Sequence, residues 1–342
     1  MEKNKISRRE FLNYLSKSSF TLATLGTSIF AASCAKQEMS RIGLNNRFIS
    51  DGKPLLIIVE GNNIKKMLNI GIEALGGFKK FVKSKNVAIK PNVTWSQPYP
   101  VTTDIVLLEE IIMQAKAANC AESTICDGPS SKGIHAHYIF YSLGYLELTK
   151  KHKVKVKCID PVRGTEFVKV RNNKWKINPS LLISKHIQNA DIVINTAIPK
   201  RHHAADFTCA LKNCFGCVYD TFRMYAHKHL SMKKEEGQIY FDRTLAEFAD
   251  AVRPDLTIVD ARSMLIKEGP SIKGKAEVKK GVNRLIISED MVAVDSYCAQ
   301  LMEQYDNTFH SNRRVAQQIQ YAENLGLGVG DLNKVKIIEL KE

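Results

Sequence analysis

Ile192-Val193-Ile194-Asn195 is a short run of β-branched side chains that ends on an amide, and the same pattern recurs along the chain. Similar runs lie at Leu55–Val59, Val87–Lys90, Ser123–Cys126, Val154–Ile159, Leu256–Asp260, Leu285–Ser288 and Val335–Leu340. Several of these runs are apolar at consecutive positions and do not alternate cleanly with polar residues. Such runs are typical of strands that are buried on both faces of a sheet.

Amphipathic stretches separate most of these predicted strands. They cover Ile64–Lys83, Asp104–Ala118, Leu181–Asn189, Thr244–Val252, Met291–Tyr305 and Asn312–Leu325. The alternation predicts an α/β fold, in which a mostly parallel sheet is flanked by helices on both faces in a Rossmann-like three-layer arrangement. A surface hairpin inserted into this fold is predicted at residues 161–180, because Asn172-Asn173 separates two short β-like runs there.

The composition is that of a soluble globular protein. Of the 342 residues, 44% are hydrophobic and 25% are charged, which excludes a disordered chain, a collagen and a multi-span membrane protein. The sequence contains no internal repeat, low-complexity tract or clear linker. We therefore predict a single domain over residues 54–342, preceded by a tether over residues 34–53.

The segment 1–33 resembles a twin-arginine export signal. Residues 7–12 read Ser-Arg-Arg-Glu-Phe-Leu, and the apolar run from Phe20 to Ala32 is too short and too rich in hydroxyl groups to span a bilayer. Small residues precede Cys34, as they do at bacterial lipoprotein processing sites. Two outcomes stay open: a lipid on Cys34, or plain cleavage near Ala32. We expect export of the folded chain by the twin-arginine machinery, to the periplasm or to a lipid-anchored position.

The chain is basic. Its formal net charge is +15, which falls to about +12 when the charges of the signal segment are removed. A positive surplus favours nucleic acid, an anionic membrane surface or an anionic small molecule as partner. Because an exported protein does not meet nucleic acid, we predict an anionic small molecule and no nucleic-acid partner.

Polar residues stand at the ends of the predicted strands. They form the sequences Lys90-Pro91-Asn92, Asp127-Gly128-Pro129, Asp160-Pro161, Asn195 and Asp260-Ala261-Arg262. Ligands of open α/β sheets bind outside the carboxyl ends of the strands, so these groups are expected to converge on one edge. The alternative for any single position is a turn or a helix cap.

The densest chemistry lies between Pro199 and His229. This stretch contains four histidines and three cysteines, directly after the predicted strand that ends at Asn195. It also carries the cations Lys200, Lys212 and Arg223. We predict that the functional site is centred on Lys200–Cys217.

Six segments together resemble the domain-of-unknown-function 362 family. They are Ala88–Asn92, Ala190–Asn195, Pro199-Lys200 with its histidines, Ala210–Asn213 with Phe215–Cys217, Pro254–Asp260, and Asp290–Asp295. The resemblance covers residues 55–340 and implies membership without a reaction, because the family has no defined activity. Some relatives append a ferredoxin-like segment, and no such cysteine array follows Cys298. The usual Lys-x-His element reads Lys200-Arg201-His202-His203 here, so either histidine can be the equivalent one.

The cysteines allow several interpretations. Cys209, Cys214 and Cys217 have the spacing of three ligands of a plant-type 2Fe-2S cluster, with a fourth ligand elsewhere. Cysteine and histidine could instead hold a single metal ion, or Cys214 and Cys217 could form a redox-active dithiol. The remaining alternative is a set of buried, unreactive thiols beside an anion site.

These residues lead to two functional hypotheses. In the first, the protein is an enzyme, with an oxidoreductase or redox-associated enzyme favoured, and clustered cations stabilise negative charge while an imidazole transfers protons. In the second, it binds an anionic ligand or a redox partner without turnover. A further alternative is that its basic surface docks on anionic lipid. The candidate catalytic residues are His202, His203, Lys212 and Asp260. The candidate ligand-binding residues are Lys90, Asn92, Asp127, Lys200, Asn213, Arg223, His227 and Asp295.

Overall fold

The structure, a computed structural model, describes residues 37–39, 41, 48–129, 134–159, 166–232 and 234–342. The strands of this part of the chain are β1 (Gln37–Met39), β2 (Ile49–Ser50), β3 (Lys53–Glu60), β4 (Asn86–Pro91), β5 (Glu122–Asp127), β6 (Lys155–Cys158), β7 (Phe167–Arg171), β8 (Leu181–Ser184), β9 (Ile192–Ala197), β10 (Lys200–His202), β11 (Asp206–Thr208), β12 (Leu256–Ile266), β13 (Glu277–Ser288) and β14 (Lys336–Lys341). The helices are α1 (Ile64–Ala74), α2 (Lys79–Val82), α3 (Ile105–Ala117), α4 (Ile134–Ser142), α5 (Tyr145–His152), α6 (Lys185–Gln188), α7 (Ala210–Asn213), α8 (Asp220–Met232), α9 (Lys234–Val252), α10 (Met291–Tyr305) and α11 (Arg314–Asn324), with short 3-10 turns at Cys214–Cys217 and Leu332–Lys334.

The main sheet is mixed and mostly parallel. Its strands lie in the order β14-β3-β13-β12-β9-β4-β5-β6. Strand β13 is antiparallel to both of its neighbours, β3 and β12. The other neighbouring pairs along this path are parallel. The predicted α/β fold with a mostly parallel sheet is therefore confirmed.

Successive residues of the central strands pack into two different cores. Ile57 and Val59 belong to a core with α1, α3, α4 and α5. Their neighbours Leu56 and Ile58 belong to a second core with α7, α9, α10 and α11. Side chains alternate across a strand, so a strand covered by helices on both faces must be apolar at consecutive positions. This confirms the interpretation of the apolar runs as strands buried on both faces.

Strand β4 is the point at which the order of strand addition across the sheet reverses. Strands β5 and β6 are added on one side of β4, whereas the later strands β9 and β12 are added on the other side. The connections to β5 and β6 use α3, α4 and α5 on one face, and the connection from β9 to β12 passes through α7 and α9 on the opposite face. The carboxyl ends of β4 and β9 therefore form a topological switch point, the usual ligand site of such sheets.

The segment between β6 and β9 differs from its prediction. The stretch 181–189 was expected to be a helix, but Leu181–Ser184 is a strand and only Lys185–Gln188 is helical. The predicted hairpin is present as the antiparallel pair β7 and β8, although its second strand begins after residue 180 and not directly after Asn173. Its apolar side chains Phe167, Val170, Leu181 and Ile183 are buried in the core, so this hairpin is part of the packed structure.

Three other elements have different lengths from those predicted. The expected helix over residues 64–83 ends at Ala74, because Gly76 and Gly77 both have positive φ angles. The strands predicted at 256–260 and 285–288 are parts of the longer hairpin β12–β13, which has a bulge between Ala261 and Ser263.

In the described part of the chain, none of the helices has the length and apolar character needed to cross a bilayer. The signal segment, Cys34 and Asp160 lie outside the described residues.

Candidate functional site

A cleft opens at the topological switch point. Its volume is about 620 Å³. It is lined from the main sheet by the ends of β4 and β5, from below by α7 and the turn at Cys214–Cys217, and from the side by α8 and residues 268–274. Of the twelve predicted catalytic and ligand-binding residues, nine line this cleft: Lys90, Asn92, Asp127, His202, His203, Lys212, Asn213, Arg223 and His227.

The floor of the cleft is a network of buried amides and lysines. The amide of Asn213 donates to Asn195 Oδ1 at 2.7 Å, and its oxygen accepts from Asn92 Nδ2 at 3.0 Å. Lys90 Nζ also donates to this Asn213 oxygen at 3.2 Å. Such a connected network fixes α7 relative to β4 and β9, because every member has a hydrogen-bond partner.

Lys90 and Asp127 form a buried ion pair at the ends of neighbouring strands. Lys90 Nζ lies 2.7 Å from Asp127 Oδ1, and both side chains are at most 2% exposed. The carboxylate also accepts from the backbone N–H groups of Val93 and Gly128. Burial raises the pKa of Asp127, although Lys90 and these hydrogen bonds oppose the shift.

A glycine lets the 3-10 turn approach this carboxylate closely. A Cβ atom at Gly216 would lie 1.9 Å from Asp127 Oδ1, well inside van der Waals contact. The sequence Phe215-Gly216-Cys217 therefore has a physical reason for its glycine, which is the close approach of the turn to β5.

Lys200 lies behind the cleft and does not line it. Its Nζ donates to Asn92 Oδ1 at 2.7 Å and to the carbonyl oxygen of Val101 at 2.6 Å. The side chain is fully buried, and burial lowers the pKa of Lys200 to about 7. Lys200 thus orients Asn92, and its effect on the cleft is indirect.

Lys212 reaches the cleft from α7 with a different set of contacts. Its Nζ lies 3.6 Å from the centre of the Phe215 ring. No carboxylate or hydrogen-bond acceptor of the described residues contacts this amine. Burial, together with the positive charges of Arg223, Lys200 and Lys90, lowers the pKa of Lys212 to about 7.

The two adjacent histidines have different environments. His202 Nδ1 accepts from the backbone N–H groups of Ala204 and Ala205 at 3.1 and 3.2 Å. Burial and then the charge of Lys212 lower the pKa of His202 well below its usual value, so this ring is neutral and carries its proton on Nε2. His203 is exposed and stacks on His202 with 5.0 Å between ring centres. His203 Nδ1 also lies 3.2 Å from the carbonyl oxygen of Gly269, so both rings are held, and His202 is the less exposed of the two.

Helix α8 supplies a second basic group and an imidazole. Arg223 Nη1 donates to the carbonyl oxygen of Gly128 at 2.9 Å, and its Nη2 lies 3.3 Å from Asp220 Oδ1. His227 Nδ1 lies 2.7 Å from the carbonyl oxygen of Arg223, and burial lowers the pKa of His227. The Nε atom of Arg223 is buried without a hydrogen-bond partner among the described residues.

Asp260 and Asp295 lie outside the cleft lining. Asp260 is fully buried and pairs with Arg262, whose Nη2 lies 2.7 Å from Asp260 Oδ2. Asp295 accepts from the backbone N–H of Ala210 at 2.6 Å and therefore holds the first turn of α7. Burial raises the pKa of Asp295 to about 7. The structure gives both carboxylates a local structural partner and brings neither to the ligand space.

The three cysteines predicted as metal ligands do not converge. Burial is the main cause that raises the pKa of Cys209 and of Cys214, and the neighbours that add to the shift are Cys298 for Cys209 and Cys217 for Cys214. Each of the three thiols is fully buried and has a raised pKa, which reaches about 12 for Cys217. All seven cysteines of the described residues are free, and these residues contain no group of three or more metal-ligating side chains placed to hold an ion. The geometry fits protonated thiols that pack beneath the cleft.

Several lining residues were missed by the sequence analysis. They are Thr94, Trp95, Thr208, Asp220, Met224 and residues 268–274. The hydroxyl of Thr208 is buried without a partner among the described residues, and Trp95 is 43% exposed at the mouth. Residues 268–274 lie in the connection between β12 and β13, and the sequence analysis assigned no motif to this connection.

The chain is similar to known proteins over most of this fold. The family profile described as Domain of unknown function (DUF362) matches residues 87–300, a range that includes all nine predicted residues of the cleft. A thylakoid-associated protein of Synechocystis sp. is 27% identical over 249 residues, which are 71% of this chain and 71% of that protein. The profile match confirms the family that the motifs predicted.

Proposed function

The chain belongs to the DUF362 family, whose description assigns no reaction, and from this premise we propose that the cleft binds a small anionic molecule. The observation that carries the proposal is Lys212, an amine that lines the cleft and that no carboxylate of the described residues contacts. A bound anion would supply the missing counter-charge. Because the Lys212 amine lies in the protein beside other cations, its attraction to a bound anion is stronger than it would be in water.

The carboxylates of the lining already have partners within the protein. Asp127 pairs with Lys90, and Asp220 pairs with Arg223. Glu268 accepts from the backbone N–H of Lys275 at 2.8 Å. Four lysines and arginines line the cleft against three carboxylates, which leaves a net positive charge, and the unpartnered donor on Arg223 adds to its capacity for an anion.

Lys212→Met tests this proposal. We expect the variant to bind sulfate about ten- to a hundredfold more weakly than the unaltered protein, because a hydrogen bond to a charged group contributes roughly 1.5–3 kcal/mol. Isothermal titration calorimetry at pH 6.5 and low salt measures the change. Lys79→Met removes the same charge from an exposed position on α2 and should leave the affinity unchanged. Equal affinities for the two variants would show that sulfate does not bind at Lys212.

A catalytic role for the same cleft is the second proposal, and the state of His202 favours it. A neutral imidazole with a fixed Nε2–H can polarise a carbonyl or phosphoryl oxygen of a bound anion. Turnover of the ligand would separate this function from simple binding. The oxidoreductase hypothesis and the metal and iron-sulfur alternatives stay predictions from the sequence.

We also propose that the chain is exported and held at a membrane. The twin-arginine sequence at residues 7–12 and the small residues before Cys34 support this proposal, and the relative described as thylakoid-associated agrees with a membrane location. In fractionated bacterial cells, the full chain is expected in the membrane fraction and Cys34→Ser in the soluble periplasm. The double variant Arg8→Lys, Arg9→Lys should stay in the cytoplasm. A chain that remains cytoplasmic without either change would contradict the proposal.

A further inference from the structure

The three lysines of the site differ in what their amines contact. Lys90 Nζ has three acceptors, which are Asp127 Oδ1, Asn213 Oδ1 and the carbonyl oxygen of Pro91. Lys200 Nζ also has three, at 2.6, 2.7 and 3.3 Å. Lys212 Nζ packs on the Phe215 ring and reaches the cleft. In the described residues, the Lys90 and Lys200 amines are thus held by acceptors, and the Lys212 amine keeps its bonding capacity for a ligand.

The surroundings of Lys212 favour an uncharged amine. Phe215, which is itself 5% exposed, covers one side of the Nζ atom with an apolar ring. Arg223, Lys200 and Lys90 are the positive groups whose charges act on it. A neighbouring carboxylate would keep the amine charged, as Asp127 does beside Lys90. A lysine that packs on an apolar ring beside other cations, with no carboxylate in contact, is the arrangement that produces a nucleophilic amine near neutral pH.

We propose that Lys212 Nζ forms a Schiff base with the carbonyl carbon of a small 2-oxo acid bound in the cleft. This inference rests on the proposed function, because the carboxylate of such an acid is the anion that the cleft binds. The uncharged amine adds to the carbonyl carbon, the carbonyl oxygen leaves as water, and a carbon–nitrogen double bond replaces the carbon–oxygen double bond. Protonation of the imine from solvent restores a positive charge beside the bound carboxylate. No oxidant, reductant or metal is needed.

Two neighbours suit the other parts of this ligand. Arg223 has a buried Nε donor without a partner among the described residues, and this N–H can donate to a carboxylate oxygen of the ligand. His202 presents a neutral ring with its proton on Nε2, because its Nδ1 already accepts two backbone N–H groups. A neutral imidazole that donates a hydrogen bond to a carbonyl oxygen makes the carbonyl carbon more electrophilic.

Reductive trapping with pyruvate tests the inference on the folded, full-length protein. We expect incubation with pyruvate and cyanoborohydride at pH 7 to add the mass of one reduced pyruvate, located on Lys212 by peptide mass spectrometry. Lys212→Arg should lose this adduct and keep sulfate binding, since arginine retains the charge but forms no imine under these conditions. Lys79→Met is the matched control and should trap pyruvate as the unaltered protein does.

The two proposals fail in different ways. Sulfate binding that depends on Lys212 without any pyruvate adduct would overturn the Schiff base and leave the anion site intact. If the unaltered protein neither binds sulfate nor traps pyruvate, the anion site is overturned as well. Equal total labelling of the unaltered protein and of Lys212→Arg would also contradict the inference, because it would show that the adducts form on other lysines.

Discussion

Asp127→Ala is expected to lower the free energy of unfolding by about 3–5 kcal/mol, because it leaves a buried lysine charge without its partner. Lys90 Nζ lies 2.7 Å from the carboxylate, and neither side chain is more than 2% exposed. The backbone N–H groups of Val93 and Gly128 would lose their acceptor in the same variant. Urea unfolding, with the midpoint and the slope fitted together, measures the change.

An exposed ion pair provides the control for this experiment. Glu147 and Lys150 lie 3.3 Å apart, with side chains 52% and 57% exposed. Glu147→Ala should cost less than about 1 kcal/mol, since exposed pairs contribute little. The double variant Lys90→Met, Asp127→Asn should cost less than the sum of its two single variants, because it removes the unpaired charge. Equal costs for Asp127→Ala and Glu147→Ala would contradict a charged, buried pair.

The sheet could be predicted from the sequence because burial on both faces leaves a local signal. The consecutive apolar residues Ile192–Ile194 are typical of a strand that helices cover on both sides, and they pack into both cores. The stretch 181–189 was assigned wrongly for a related reason. Leu181 and Ile183 are buried in a strand that pairs with β7, and this pairing joins segments that are separated in the sequence. A short apolar run does not show whether its partner is a helix face or another strand.

The site was predicted less completely than the fold. Polar residues at strand ends converge by topology, so Lys90, Asn92 and Asp127 could be placed together before the structure was known. Asp260 has the same position at the end of its predicted strand, but β12 continues to Ile266 and its carboxylate pairs with Arg262. The sequence does not show which carboxylate already has a cation. It also does not show that Lys212 lacks one, since this depends on side chains from several separate segments of the cleft lining.

Anion binding is expected to weaken about tenfold for each pH unit above 7, because the charged form of Lys212 is the form that binds. The pKa of Lys212 in the empty cleft is about 7, and a bound anion raises it. Below pH 7 the amine is protonated with or without the ligand, so the affinity is constant. Above pH 7 the empty site loses its proton first, and binding must then take up a proton from solvent. The weakening ends when the pH passes the pKa of the occupied site.

Sulfate is the suitable probe for this measurement, because its charge does not change between pH 6 and pH 9. Calorimetry across that range, repeated in two buffers of different ionisation enthalpy, gives both the affinity and the proton uptake. Lys212→Arg should bind sulfate with nearly constant affinity, since arginine stays charged throughout. The Lys200 amine also has a pKa of about 7, and Lys212→Arg retains it, so the difference between the two proteins belongs to Lys212. A pH dependence that persists unchanged in Lys212→Arg would assign the titration to another group with a pKa of about 7, such as Lys200 or Asp295, and remove the main support for Lys212 as the anion-binding residue.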